Sequence, residues 1–245
     1  MDLTAAITPL KVGKSVSRLS DPAAAQRSAP APLVVSYLLL RVLIGVIAVL
    51  LPFVLVLVNW GIGHGFQPSM SGYYYTAMRD TFVGSLCAIG VFLVSYDGYD
   101  LPDRLITDAA GLCTICIAFF PTTPGNQPTA HQVLIGDLHL TFACAAFVLL
   151  SVMAFRFAKR EPTRPGLSGW ERVKYAFGFT RPGESGAAGW ELAVYRASGV
   201  TILLCIAVIY PLSTVKYSLL VLEAVMLVSF GLSWFVKGRK ILSGG

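Results

Sequence analysis

Six apolar stretches limit what this chain can fold into more than anything else in it. They lie at roughly 33–58, 80–97, 104–121, 134–157, 191–212 and 216–236. A helix needs about 20 predominantly apolar residues to cross the hydrocarbon core of a bilayer. Backbone groups there have no water to bond, so each crossing segment must pair its own N–H and C=O groups as a helix. The runs are continuously apolar rather than alternating, which argues against a β-barrel. Charged residues make up only 13% of the chain. A soluble domain carries about 25%, so a soluble globule is set aside. The sequence predicts an all-α, polytopic membrane bundle of six transmembrane helices over 33–240. The second and third stretches are the shortest, and Gly, Ser, Thr and Asp interrupt them.

Lysine and arginine set the expected orientation. Lys11, Lys14, Arg18 and Arg27 precede the first stretch, Lys159, Arg160, Arg164, Arg172, Lys174 and Arg181 follow the fourth, and Lys237, Arg239 and Lys240 end the last. Residues 59–78 and 122–133 hold no Lys or Arg but Arg79 follows directly. Cationic loops stay cytoplasmic, so both termini and the 158–190 loop are expected inside, in a multi-pass protein of the cell membrane. The net charge of +6 suits anionic lipid. It gives no case for nucleic acid, because the basic residues flank spans and form no single surface.

Two segments fall outside the spans. Residues 1–32, with "PAAAQRSAPAP", are expected to be a mobile basic segment. The apolar run that follows is too long for a signal-peptide core. The acid-poor composition also allows an organellar transit peptide. The stretch "SGWERVKYAFGFTR" within 158–190 aligns Trp170, Val173 and Phe177 on one face. It reads either as an interfacial amphipathic helix or as an ordinary basic loop. Both segments are candidate docking elements for a membrane-protein complex.

The even-numbered spans bring ionisable residues to one end. With the termini inside, the second, fourth and sixth spans all begin outside. They bring Arg79 and Asp80, Asp137 and His139, and Glu223 to the outer side. "SGYYYTAMRD" (71–80) precedes the second span and is expected to cap an outward-facing polar chamber, with Tyr73, Tyr75, Arg79, Asp80, Asp137, His139 and Glu223 as its ligand-binding candidates. Asp80 is expected to turn inward, because its face continues into Gly84, Cys87 and Ser95. Arg79 should lie by the tyrosines. Glu223 should pair with Arg79, His139 or Lys216, since a lone carboxylate in hydrocarbon is costly. The plainer reading makes the tyrosines an aromatic belt and Asp80 a charge matched to the helix dipole. At the inner end, Asp100 or Asp103 should cap the third span, and Asp108 should pair with Arg196.

Motifs of catalysis are sparse. No nucleophile elbow, P-loop or His-Glu-x-x-His occurs. His64, His131 and His139 lack helical ligand spacing, so neither a metal nor another cofactor is expected. Cys113-x-x-Cys116 lies in an apolar run and reads as buried thiols rather than a redox pair.

Ser71-x-x-x-Tyr75, followed by Asp80 and an outer-end His139, resembles uncharacterised bacterial six-helix membrane proteins. At greater distance it is similar to the alkaline ceramidase and adiponectin-receptor superfamily of intramembrane zinc hydrolases. That resemblance implies Ser71, Asp80 and His139 as retained catalytic groups. Tyr75 stands where the superfamily has a zinc histidine, and the last span has no histidine, so zinc hydrolysis is in doubt. Three functions therefore follow from the sequence. The first is an integral membrane accessory or lipid/small-ligand-binding protein. The second is an intramembrane lipid hydrolase using Ser71, Asp80 and His139. The third is a small transporter.

Overall fold

Each of the six apolar stretches is a helix. The structure is a computed structural model that describes residues 31–160 and 188–242, with side chains described over 39–160 and 190–239. The elements are α1 (Ala31–Gly61), a 3-10 helix (Ser71–Tyr75), α2 (Arg79–Val94), α3 (Leu101–Phe119), α4 (Ala130–Lys159), α5 (Ala188–Ile209) and α6 (Ser218–Leu242). Among the described residues there is no strand. The expectations for residues 1–32, and for most of 158–190, lie outside the described residues. Contacts divide the chain into two units, Met1–Tyr37 and Leu38–Gly245, and the account below concerns the second.

Four helices, α1, α4, α5 and α6, are long and apolar enough to cross a membrane. Helix α2, with 16 residues, rises only about 24 Å at 1.5 Å per residue. The surface is apolar while several polar side chains are internal. Leu57, Leu105, Leu140 and Leu204 are exposed, whereas Arg41, Asn59, Asp103, Ser151 and Lys237 are buried. A water-soluble protein reverses this arrangement.

Local sequence explains where the helices start. Asp100 caps α3, its carboxylate accepting from the Asp103 N–H at 2.9 Å, with Pro102 in the first turn. Proline is tolerated there because that N–H has no helical partner. Thr129 and Gln132 form a reciprocal capping box at α4. At α6 the orphan Leu220 N–H donates to the Pro68 carbonyl at 3.1 Å, which ties the 3-10 segment to that helix.

Close backbone approach needs glycine at two crossings. A Cβ on Gly45 of α1 would lie 2.7 Å from the Gly231 carbonyl oxygen of α6. A Cβ on Gly90 of α2 would lie 2.8 Å from the Gly111 carbonyl oxygen of α3. Helices α2 to α5 each pack on the next in sequence where the chain turns back, α2 on α3, α3 on α4, α4 on α5, and α5 on α6. Helix α3 is held to α4 at both ends. Its Asp103 meets Arg156, and the Phe120 carbonyl just beyond its far end meets His139 at 2.6 Å. The two pairs are the same number of residues apart on each helix, so α3 lies antiparallel along α4 over about 26 Å.

Candidate functional site

The 3-10 helix and the ends of α4 and α6 enclose a cavity of about 280 Å³. Ser71 reaches it from the 3-10 helix, Thr122 and Thr123 from the α3–α4 connection, Asp137 and His139 from α4, and Glu223 from α6. The rest of the wall is apolar, built by Leu140, Ala143 and Phe147 of α4, Ile206 and Ile209 of α5, and Leu219 and Met226 of α6. Ser71, His139 and Met226 are buried, whereas Asp137, Leu140 and Cys144 are exposed. The cavity is therefore closed at the 3-10 helix and open along α4.

Glu223 performs a capping task. Its Oε2 accepts from the Met70 N–H at 2.6 Å, and the Ser71 N–H also faces the carboxylate. The first N–H groups of a helical turn lack partners within it. A carboxylate from a neighbouring helix satisfies them here. This corrects the expected pairing of Glu223 with Arg79, His139 or Lys216: the partner is backbone, because the start of the 3-10 helix supplies donors at the depth Glu223 reaches. Lys216 instead lies with Nζ 4.8 Å from the centre of the Tyr217 ring.

His139 is placed by its own hydrogen bond. Nδ1 lies 2.6 Å from the Phe120 carbonyl oxygen, and a carbonyl only accepts, so Nδ1 carries the hydrogen. In the neutral ring Nε2 is then an acceptor. Gly136, one turn before Leu140, makes room for the Thr123 side chain, which packs where a Cβ would stand.

The "SGYYYTAMRD" stretch divides between roles. Ser71 lines the cavity, and its Oγ lies 3.1 Å from Ser69 Oγ. Tyr73 is fully buried in the core beside Met70, Phe82 and Leu86. Tyr75 is half exposed, and its hydroxyl donates to the Thr122 carbonyl at 2.5 Å. Arg79 stacks on Tyr74, 4.5 Å from the ring centre, and donates to its hydroxyl at 2.8 Å. The inward turn expected of Asp80 does not occur. Asp80 is exposed, as is Gly84 on its face. Helix α2 packs through Phe82, Leu86, Ile89, Gly90 and Leu93 instead, a face turned away from Asp80.

Ser71 and His139 share the cavity wall, and Asp80 does not join them. Among the described residues no hydrogen bond joins Ser71 to His139, and Asp80 lies on the outer surface. A zinc site does not fit. Tyr75 is bonded to Thr122, His139 to Phe120, and among the described residues no three His, Cys, Asp or Glu side chains could hold a metal.

The opposite end of the bundle holds a cluster that sequence reasoning missed. Arg156 pairs with Asp103, and with Asp100 at 2.8 Å; Arg160 pairs with Asp100 at 2.6 Å and Asp103 at 2.8 Å. The Tyr99 N–H donates to Asp103 at 3.2 Å. Arg41, buried in α1, donates to the Tyr96 hydroxyl at 2.7 Å and lies 5.2 Å from the Tyr99 ring centre. Lys237 Nζ stands 5.5 Å from the ring centres of both Tyr99 and Tyr195. Trp234 packs edge-on against Tyr96 and Phe157. The signal was a lone arginine inside the apolar run "SYLLLRVLIGV", since a buried charge in a span demands partners. Asp108 meets Arg104 at 3.8 Å, in place of the expected Arg196, because a residue one turn away on the same helix is nearer. The Asp100 carboxyl is held below the usual carboxylate range, first by the Asp103 N–H and then by Arg160 and Arg156.

These features define an all-α bundle with membrane-length apolar helices, a polar-floored cavity at one end and a charge-aromatic cluster at the other. Comparison with protein-family models, curated proteins and solved structures gives no match, so no family is assigned.

Proposed function

We propose that this chain is a six-span membrane protein that binds an amphiphilic small molecule or lipid in the Ser71–His139–Glu223 cavity, without catalysing its breakdown. One observation carries this reading: the cavity has a polar floor, an apolar wall and a lateral opening along α4. Its volume of about 280 Å³ lies near the lower edge of the roughly 300–1,000 Å³ of small-molecule sites. It suits a head group with the first part of a chain, the remainder lying in lipid.

Six crossings are favoured by the antiparallel run of α3 along α4, which carries α3 across the thickness that α4 traverses. Helix α2 is short, and a bilayer accommodates such mismatch by local thinning. The Asp103 end lies in the cytoplasm in this proposal, because Lys159, Arg160, Lys237 and Arg239 gather there. The cavity then opens toward the outer leaflet. Docking of a membrane-protein partner through residues 1–32 and 158–190 belongs to the same proposal.

The test is extraction. Protein purified in mild detergent is extracted and its bound small molecules identified by mass spectrometry. An amphiphile is expected in near-stoichiometric amount. Ala143→Phe, which fills the wall, should lose it while the protein stays monodisperse. Equal recovery from both proteins would reject the cavity as the site.

A further inference from the structure

We infer that the occupant of this cavity is a single-chain amphiphile whose head is an ammonium group. The inference rests on the amphiphile-binding reading above and deepens it. Charge complementarity carries it. Two carboxylates, Asp137 and Glu223, line the cavity, and no Lys or Arg does. The cations at this end are held elsewhere, Arg79 on Tyr74 and Lys216 on Tyr217. A carboxylate- or phosphate-headed chain would meet the exposed Asp137 carboxylate at the mouth and no Lys or Arg along the wall, and like-charge juxtaposition strongly disfavours a partner.

The uncharged polar groups agree with the charged ones. An ammonium has three donors and no acceptor, so it needs acceptors around it. A carboxylate offers about four lone-pair sites, so the N–H groups of Met70 and Ser71 leave capacity on the Glu223 side chain. His139 has its Nδ1 hydrogen committed to Phe120, which makes Nε2 an acceptor in the neutral ring. The Ser71 and Thr123 hydroxyls accept as well. Position along the cavity gives an order of entry. Asp137 is exposed at the mouth and Glu223 is half-buried further in. A head group entering along α4 exchanges water at Asp137 before it reaches Glu223, while its chain lies on Leu140, Ala143 and Phe147.

Cys144 supplies the readout, being exposed and on the cavity wall. The experiment uses the full chain with Cys87, Cys113, Cys116 and Cys205 replaced by Ala, in an uncharged detergent. Protection of Cys144 from a maleimide is measured with decylammonium, decanol and decanoate. Decylammonium is expected to protect at a concentration at least about tenfold lower than decanoate, with decanol between them. In Glu223→Gln and Asp137→Asn that gap should shrink. Asp137 is exposed, so its variant keeps the test open if Glu223→Gln fails to fold. Equal protection by all three probes would overturn the ammonium head and leave the amphiphile cavity standing. Protection by none would overturn both. A gap unchanged in both variants would overturn the assignment to these carboxylates.

Discussion

Arg156 and Asp103 meet across the α3–α4 interface, with the Asp103 side chain fully buried and Arg156 reaching it from the last turns of α4. Breaking such a pair leaves a charge in a poorly solvating site, which costs about 3–5 kcal/mol. Arg156→Ala is expected at the lower end of that range, because Arg160 also holds Asp103. Arg156→Lys should fall between, keeping charge but losing the fork that spans Asp100 and Asp103. Thermal unfolding in detergent measures both. An Arg156→Ala protein as stable as the parent would show that the pair does not hold α3 to α4.

Acid should loosen the same corner. The folded state lowers the Asp100 pKa through the Asp103 N–H, then Arg160 and Arg156. A carboxylate with a depressed pKa contributes stability that is complete above its unfolded value of about 3.9 and lost as pH falls below that. Thermal stability should therefore decline on going from pH 5 toward pH 3, and more steeply than in Asp100→Asn. Parallel curves for the two proteins would show that Asp100 does not contribute.

Two glycines make opposite forecasts. A Cβ on Gly231 would lie 2.7 Å from the Gly45 carbonyl oxygen, whereas one on Gly84 would meet nothing within 4 Å. Gly231→Ala is expected to destabilise by about 1–3 kcal/mol through overpacking. Gly84→Ala should stabilise by about 0.5–1 kcal/mol, since glycine within a helix is costly. The midpoints of detergent unfolding should move in opposite directions.

Sidedness is checked with single cysteines. Asn126, in the α3–α4 connection, and Asp97, in the α2–α3 connection, are both exposed. In a background without native cysteines, an impermeant maleimide should label Asn126→Cys from outside intact cells, and Asp97→Cys only after lysis. Labelling of both from outside would reject the six-span orientation.

Asp80→Asn should matter little. Asp80 is exposed in the first turn of α2, where an acid complements the helix dipole by about 0.3–1 kcal/mol. Cys144 protection by amphiphile should be unchanged in this variant, and a loss would place Asp80 within the binding path.

The helices were legible because unbroken hydropathy leaves a membrane segment few alternatives. The gathering of Asp137, His139 and Glu223 was legible too, since alternate spans begin at the same end. What stayed hidden was rotation. Helix α2 is apolar on most sides, so Asp80 and Gly84 looked like the start of a packing face, while Phe82 and Leu86 lead the real one and Cys87 packs at its edge. Partners far apart in sequence were also hidden. Nothing near Arg41 announces Tyr96 or Tyr99, and Lys237 looked like an ordinary tail cation although it is buried among aromatic rings.

The glycine crossing of α1 and α6 means that a helix made early is completed by one made late. At roughly 5–20 residues per second, Gly45 waits on the order of 10–40 s for Gly231 to be synthesised. Arg41 is released sooner, once the Tyr96–Tyr99 turn has emerged. Through the interval α1 keeps a bare backbone groove where α6 will lie. Assembly is thus a clasp that shuts only once α6 has been made. A chain stalled within α6 would leave α1 without the glycine contact that completes it.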